Sequence, residues 1–133
     1  MAHNPAQREN IGDLADLHQL IDEIKTAMLT TIERDGSLVS RPMTTQCRRD
    51  GIDLWFVTTT DTRTVEALKR EPEVNVMYYK EDTREWVSAS GVATLTQDRA
   101  SIEGLYKKEW KTWLGDEGGE RDGSPHDPRL VLI

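Results

Sequence analysis

The run Thr30-Thr31-Ile32-Glu33-Arg34-Asp35-Gly36-Ser37-Leu38-Val39-Ser40-Arg41-Pro42-Met43, followed by Leu54-Trp55-Phe56-Val57-Thr58-Thr59-Thr60-Asp61-Thr62-Arg63-Thr64, decides the fold. Asp35-Gly36 between two β-prone runs is a hairpin signal, because glycine takes the positive φ that a tight turn requires. Pro42 cannot donate a ladder hydrogen bond, so it marks an edge strand or a bulge. The apolar run at Leu54–Val57 reads as a third strand that passes into Thr60-Asp61-Thr62-Arg63 and then a helix carrying Val65 and Leu68. A helix start with free N–H groups, hydroxyls and a guanidinium suits an anion. These pieces point to a small β-barrel with an anion site at one helix start.

Working outward, the 133 residues allow one domain around one core. There are 24 acidic against 17 basic residues, a net charge of −7, so the chain is unsuited to neutralising nucleic-acid phosphates. Any anionic ligand must meet local positive charge. Cys47 is the single cysteine, which excludes an intrachain disulfide and fits a reducing compartment. No apolar run reaches the roughly 20 residues of a membrane helix. The start MAHNPAQREN lacks a hydrophobic signal core. A soluble cytoplasmic protein without nucleic-acid or membrane partners is expected.

Residues 1–10 are polar and expected to be disordered, leaving 11–133 as one domain. Leu14, Leu17, Ile21 and Ile24 recur at helical spacing, predicting a helix over 11–25. Strands are expected at 27–34 and 38–48. Asp50-Gly51 reads as a second hairpin turn into a strand over 52–59. A helix from Thr62 should end before Pro72. Strands follow at Val74–Tyr79 and Trp86–Leu95. Asp98 is expected to cap one amphipathic helix bearing Ile102, Leu105, Tyr106 and Trp110, with Trp113 extending the stripe. Residues 115–128 read as a loop, and Arg129–Ile133 as the beginning of a strand.

Side chains leave alternatives open. Arg41 either meets a ligand or pairs with a carboxylate of an acidic surface. Thr62 and Arg63 either grip an anion or form an ordinary cap, although arginine is unfavourable at a helix start unless an anion offsets it. Met43, Trp55, Phe56, Trp110 and Trp113 read first as packing residues. His3, His18 and His126 are scattered, with no metal-ligand spacing to Cys47 or a carboxylate, and no catalytic or metal residue is nominated. A redox role for Cys47, beside Arg48 and Arg49, is the alternative to a structural thiol, which strand alternation favours.

The ordered set of helix, Asp-Gly hairpin, Ser40-Arg41-Pro42-Met43, Leu54-Trp55-Phe56, Thr62-Arg63, Val87-Ser88-Ala89-Ser90-Gly91, Trp-bearing helix and Leu130-Val131-Leu132-Ile133 resembles the pyridoxamine 5′-phosphate oxidase-like FMN-binding split barrels. More narrowly it is similar to their general stress protein group, from about Leu20 to Ile133. The resemblance implies a mainly β fold: a six-stranded antiparallel split barrel with flanking helices, assembled as a homodimer with FMN at the interface. It implies that Arg41 lies beside the ribityl chain and phosphate. Pro42, Met43 and Thr44 would run along the ring edge, with Val57 and Thr58 beside the flavin. Thr62 and Arg63 would grip the phosphate, and Trp86 would reach the partner subunit's flavin. Where the family commonly has lysine this chain has Thr64, which should weaken the phosphate site by ~1–3 kcal/mol. Relatives continue past the final strand, so a more open pocket edge is expected here, and authentic pyridoxamine phosphate oxidation is disfavoured. The functions implied are an FMN-dependent oxidoreductase, a flavin-binding stress module with little turnover, or a cofactor-free dimeric interaction protein. A deazaflavin is the alternative cofactor.

Overall fold

The computed structural model describes residues 14–47 and 54–133. The segment 1–10, the helix start at Ile11 and the Asp50-Gly51 turn lie outside them. Helix α1 (Leu14–Ile24) turns Ile21 into the core, with Leu17 and Ile24 packed against the same cluster. It stops at Lys25, whose φ of 66° is left-handed, and whose N–H reaches Ile21 O at 2.9 Å. This is the usual way to close a helix, with lysine where glycine is commoner.

Strands β1 (Thr26–Ile32) and β2 (Leu38–Thr44) form the expected hairpin, in register from Thr26 opposite Thr44 to Ile32 opposite Leu38. Gly36 has φ 84° and donates to Glu33 O at 2.9 Å, while Glu33 N–H reaches Ser37 O at 2.8 Å. An added Cβ at Gly36 would touch nothing, so glycine is required by conformation and not by space. Asp35 locks the turn by accepting from the N–H and hydroxyl of Ser37.

Strand β3 is only Val57–Thr59, shorter than the strand expected over 52–59. Helix α2 (Arg63–Arg70) follows, then β4 (Glu73–Lys80) and β5 (Glu85–Val92). Helices α3 (Arg99–Leu105) and α4 (Lys108–Leu114) precede β6 (Leu130–Leu132). The single amphipathic helix expected after Asp98 is therefore two. Tyr106 and Lys107 take extended backbone between them, while the Tyr106 hydroxyl donates to Gly123 O at 2.6 Å. The Tyr106 ring also meets Trp110 edge-on, with centroids 5.5 Å apart. These tertiary contacts outweigh the helical periodicity across the break.

The strands fall into two antiparallel sheets, ordered β2-β1-β4-β5 and β3-β6, and not into one continuous six-stranded ladder. Isolated backbone bonds link the two at their corners: Gln46 N–H to Trp55 O at 2.8 Å, and the reciprocal pair Thr96 and Leu132. Pro42 lies on edge strand β2, where its missing donor costs no ladder bond. Leu29, Val76 and Tyr78 face inward and join Ile21, Ala27, Phe56, Leu68 and Ile133 in one cluster. Ile102, Leu105, Trp110 and Leu114 pack with Leu130 and Leu132 in a second. Every residue of β6 is buried, which explains its unbroken apolar sequence. Among the described residues no helix is long and apolar enough to cross a membrane.

Candidate functional site

A cleft of about 640 Å³ opens between the two sheets and α4, within the size range of small-molecule sites. Its floor is Pro42, Met43 and Thr44 of β2 with Val57, Thr58 and Thr59 of β3. Thr62 stands at one end. It is the N-cap of α2, accepting from Val65 N–H at 3.3 Å while its hydroxyl donates to Thr59 O at 3.0 Å. The opposite wall is Trp110, Trp113 and Leu114 of α4, with Lys107 at the helix start and Glu117, Arg121 and Arg129 beyond.

Six of the residues nominated from sequence thus share one cavity: Pro42, Met43, Thr44, Val57, Thr58 and Thr62. Three do not border it. Arg41 points to the inner side of the sheet, opposite Leu29, and forms a 2.8 Å ion pair with Glu33 and a 3.0 Å hydrogen bond to Thr31 Oγ1. The carboxylate partner is the alternative that the sequence left open. The Arg41 bond, opposed by desolvation, lowers the Glu33 pKa below its ordinary value. Arg63 borders a shallower cavity with Glu33, Arg34, Glu66 and Arg70, and its guanidinium has no carboxylate partner among the described residues. Trp86 is on the outward face of β5 opposite Tyr79, 41% exposed. Thr64 turns inward and borders none of these cavities.

The cations bordering the cleft were not foreseen. Arg129 bonds Asp127, Glu117 and the carbonyls of Leu114 and Gly115, and Arg121 pairs with Glu117 at 2.8 Å. Lys107 has no carboxylate partner among the described residues. The Asp127-Pro128-Arg129 spacing ahead of an apolar run was the available signal; nothing in it distinguishes a buried pair from a loop. Gln46 was also missed. It is 93% buried and borders the cleft; its Nε2 donates to Thr44 O at 3.0 Å, while Oε1 has no partner among the described residues. Trp55 Nε1 is likewise unpaired, against a second, more apolar cleft of about 490 Å³.

Two further expectations are corrected. Trp113, read as a packing anchor, is 50% exposed. Cys47, read as a structural thiol, is exposed beyond the end of β2, which stops at Thr44. Among the described residues no group of histidine, cysteine or carboxylate side chains is arranged to hold a metal. The cleft offers hydroxyls, a cation, an indole and an amide oxygen unpaired among the described residues, groups able to hold a polar planar molecule. Among the described residues, no side chain bordering it pairs a nucleophile with a base.

The family model for pyridoxamine 5′-phosphate oxidase like proteins matches residues 12–133. Protein bli-3 of Neurospora crassa is 33% identical over 140 residues, spanning 98% of this chain and 67% of that protein. The general stress FMN/FAD binding protein of Xanthomonas citri superposes with a TM-score of 0.69 at 25% identity, over 88% of this chain and 78% of the other. General Stress Protein 26 of Bacillus anthracis gives 0.72 at 20% identity, over 89% and 83%.

Proposed function

Because the chain belongs to the pyridoxamine 5′-phosphate oxidase-like family, we propose that its cleft is a flavin site and that the protein is an FMN-dependent oxidoreductase of the general stress group. The carrying observation is the convergence of Pro42, Met43, Thr44, Val57, Thr58 and Thr62 on one cavity of ligand size. The structure fits a flavin on chemical grounds. The ring's imide needs an acceptor, and Gln46 Oε1 is a buried acceptor without a partner among the described residues; leaving it so costs about 1–3 kcal/mol. A phosphate needs donors, and α2 begins beside the cleft at Thr62, with the Arg63 guanidinium on the neighbouring cavity and without a carboxylate partner among the described residues. Arg41 would join them by exchanging Glu33 for phosphate. The flavin, once bound, supplies hydride or single-electron chemistry, and the protein supplies position and electrostatics.

A homodimer completes this reading. The outward face of the larger sheet exposes Met28, Met77, Tyr79 and Trp86, paired in register as Met28 with Met77 and Tyr79 with Trp86. Two copies meeting there would carry Trp86 to the neighbouring subunit. The competing reading, a dimeric interaction module without cofactor, has one observation in its favour: Arg41 is already satisfied by Glu33.

The absorbance spectrum of the purified protein, followed by FMN, FAD and deazaflavin titrations, tests the proposal. Flavin bands with FMN preferred, then anaerobic bleaching by a nicotinamide cofactor, are expected. A colourless protein that takes up none of the three would leave the interaction module.

A further inference from the structure

We propose that strand β5 is a docking edge for an extended peptide, apolar at alternate residues and basic at its ends, whose side chains enter the second cleft. The larger sheet ends in two edges, β2 and β5. Natural edges carry a proline, a lysine or a bulge that stops another strand from pairing. Strand β2 has Pro42, but the residues of β5, Glu85–Val92, include neither proline nor lysine. Their register with β4 runs unbroken from Glu85 opposite Lys80 to Val92 opposite Glu73, so no bulge interrupts them. Ala93 N–H reaches Pro72 O at 2.8 Å in that same register. Antiparallel bonding alternates, so Ala89 and Gly91 bond β4, whereas Trp86, Ser88, Ser90 and Val92 turn their N–H and C=O groups to the open side. These groups meet no backbone partner among the described residues, and all four residues are exposed.

The space beside that edge selects the side chains. The cleft of about 490 Å³ has Ala89 and Gly91 of β5 on one side and Leu54, Phe56 and Ile133 on the other, and no charged residue borders it. A strand added to β5 sends every second side chain into it. A second copy of β5 suits it poorly, because its matching residues Val87, Ala89 and Gly91 are too small to fill the space. Bulky aliphatic residues fill it. Charge selects the ends. Glu73 and Glu85 stand at opposite ends of the β4–β5 pairing, both exposed. Lys80, opposite Glu85, is bonded to Glu23 at 2.7 Å. In the turn between the strands, Arg84 alone faces Glu81 and Asp82. Basic residues flanking the apolar stretch therefore meet unbalanced negative charge. The inference stands apart from whatever occupies the first cleft.

Fluorescence anisotropy of labelled peptides mixed with the purified protein tests this. The peptide KITLTLTIK should saturate at micromolar protein. Its scrambled form KTILLITTK should bind about tenfold more weakly, because it lacks the alternation that puts one face in the cleft. EITLTLTIE should bind about fivefold more weakly at low salt and converge with KITLTLTIK at high salt. Ser90→Pro removes an outward N–H but no bond to β4, and should weaken KITLTLTIK about tenfold; Ser90→Ala should bind as the parent does. Gly91→Leu should weaken it equally by filling the cleft. The Gly91 backbone is not left-handed and an added Cβ meets nothing within 4 Å, so the leucine is compatible with folding. Circular dichroism melts check both variants, and loss of folding in one leaves the other decisive. Absence of binding, equal binding of the scrambled peptide, or folded variants that bind as the parent does overturns the proposal. So does a parent dimer that Ser90→Pro dissociates in sedimentation, which would give this edge to a second copy.

Discussion

Arg129 and Asp127 bond each other across a gap of two residues while both are buried, Nη2 to Oδ2 at 2.7 Å and Nε to Oδ1 at 3.1 Å. The same carboxylate accepts from Gly123 N–H and Arg129 N–H, and the same guanidinium donates to Leu114 O and Gly115 O. One ion pair therefore ties the end of α4, the 115–128 loop and β6 together, and fixes the far wall of the cleft. Removing one partner leaves the other charge buried, which typically costs ~3–5 kcal/mol. Asp127→Asn should lower the unfolding free energy by that amount, measured by urea denaturation at neutral pH. A loss below about 1 kcal/mol would show that Glu117 alone suffices for Arg129.

Acid should expose the same pair. The Arg129 hydrogen bond, against desolvation, holds the Asp127 pKa at about 2, below its ordinary 3.8. A carboxyl depressed in the folded state stabilises fully above its unfolded pKa and ceases to as pH falls through the folded value. The stability gap between the parent and Asp127→Asn should therefore be constant above about pH 4 and narrow between about pH 4 and pH 2. Urea midpoints taken across that range measure it; a gap of unchanging width would contradict the assignment.

The start of α2 separates cap from ligand contact. Thr62→Ala removes the acceptor of Val65 N–H and should cost about 1 kcal/mol of stability. Arg63→Ala, at an exposed position, should leave the melting temperature within a degree or two. If phosphate lies there, it should weaken FMN binding by roughly 2–3 kcal/mol. An unchanged FMN dissociation constant would reduce Thr62-Arg63 to a cap.

What the chain disclosed before its structure follows the range of the interactions concerned. The Asp35-Gly36 turn, the Thr62 and Asp98 caps and the stop at Pro72 depend on neighbours a few residues away, and all were legible. Leu130-Val131-Leu132 was legible as strand because only burial on both faces explains so apolar a run. The break at Tyr106 was not, since its cause is a hydroxyl bonded to Gly123, 17 residues on. Nor was Arg41's choice of Glu33, which the hairpin register brings near from eight residues away. The β2, β3 and Thr62 side of the cleft came from motif order; Lys107, Trp113 and Gln46 came only from seeing which surfaces face one another.

Gln46 supplies a prediction that separates binding from folding. Its Oε1 lies buried without a partner among the described residues, and an apolar side chain of similar length avoids that desolvation penalty. Gln46→Met should leave the ligand-free protein as stable as the parent or about 1 kcal/mol more stable. If Oε1 accepts the ring imide of a flavin, the same substitution should weaken FMN binding about tenfold. Thermal melts with and without FMN measure both effects, and a variant equally impaired in each would assign Gln46 to the core.

The outward sheet face carries the last prediction. Met28 and Met77 are adjacent in register and each 41% exposed, with Tyr79 and Trp86 beside them. A twofold assembly presents the same patch on both subunits, so one substitution acts twice across the interface. Met77→Lys would place two ammonium groups in that shared apolar patch, where neither has a carboxylate opposite: Met77 faces Met28 on one side and Ser88 on the other. Sedimentation at micromolar concentration should show the parent at twice 15.2 kDa and the variant at the single-chain mass. Because position 77 is already open to solvent within one chain, monomer stability should change by no more than about 0.5 kcal/mol. A variant that remains dimeric would move the interface away from this sheet, and with it the proposed route for Trp86 to a neighbouring cleft.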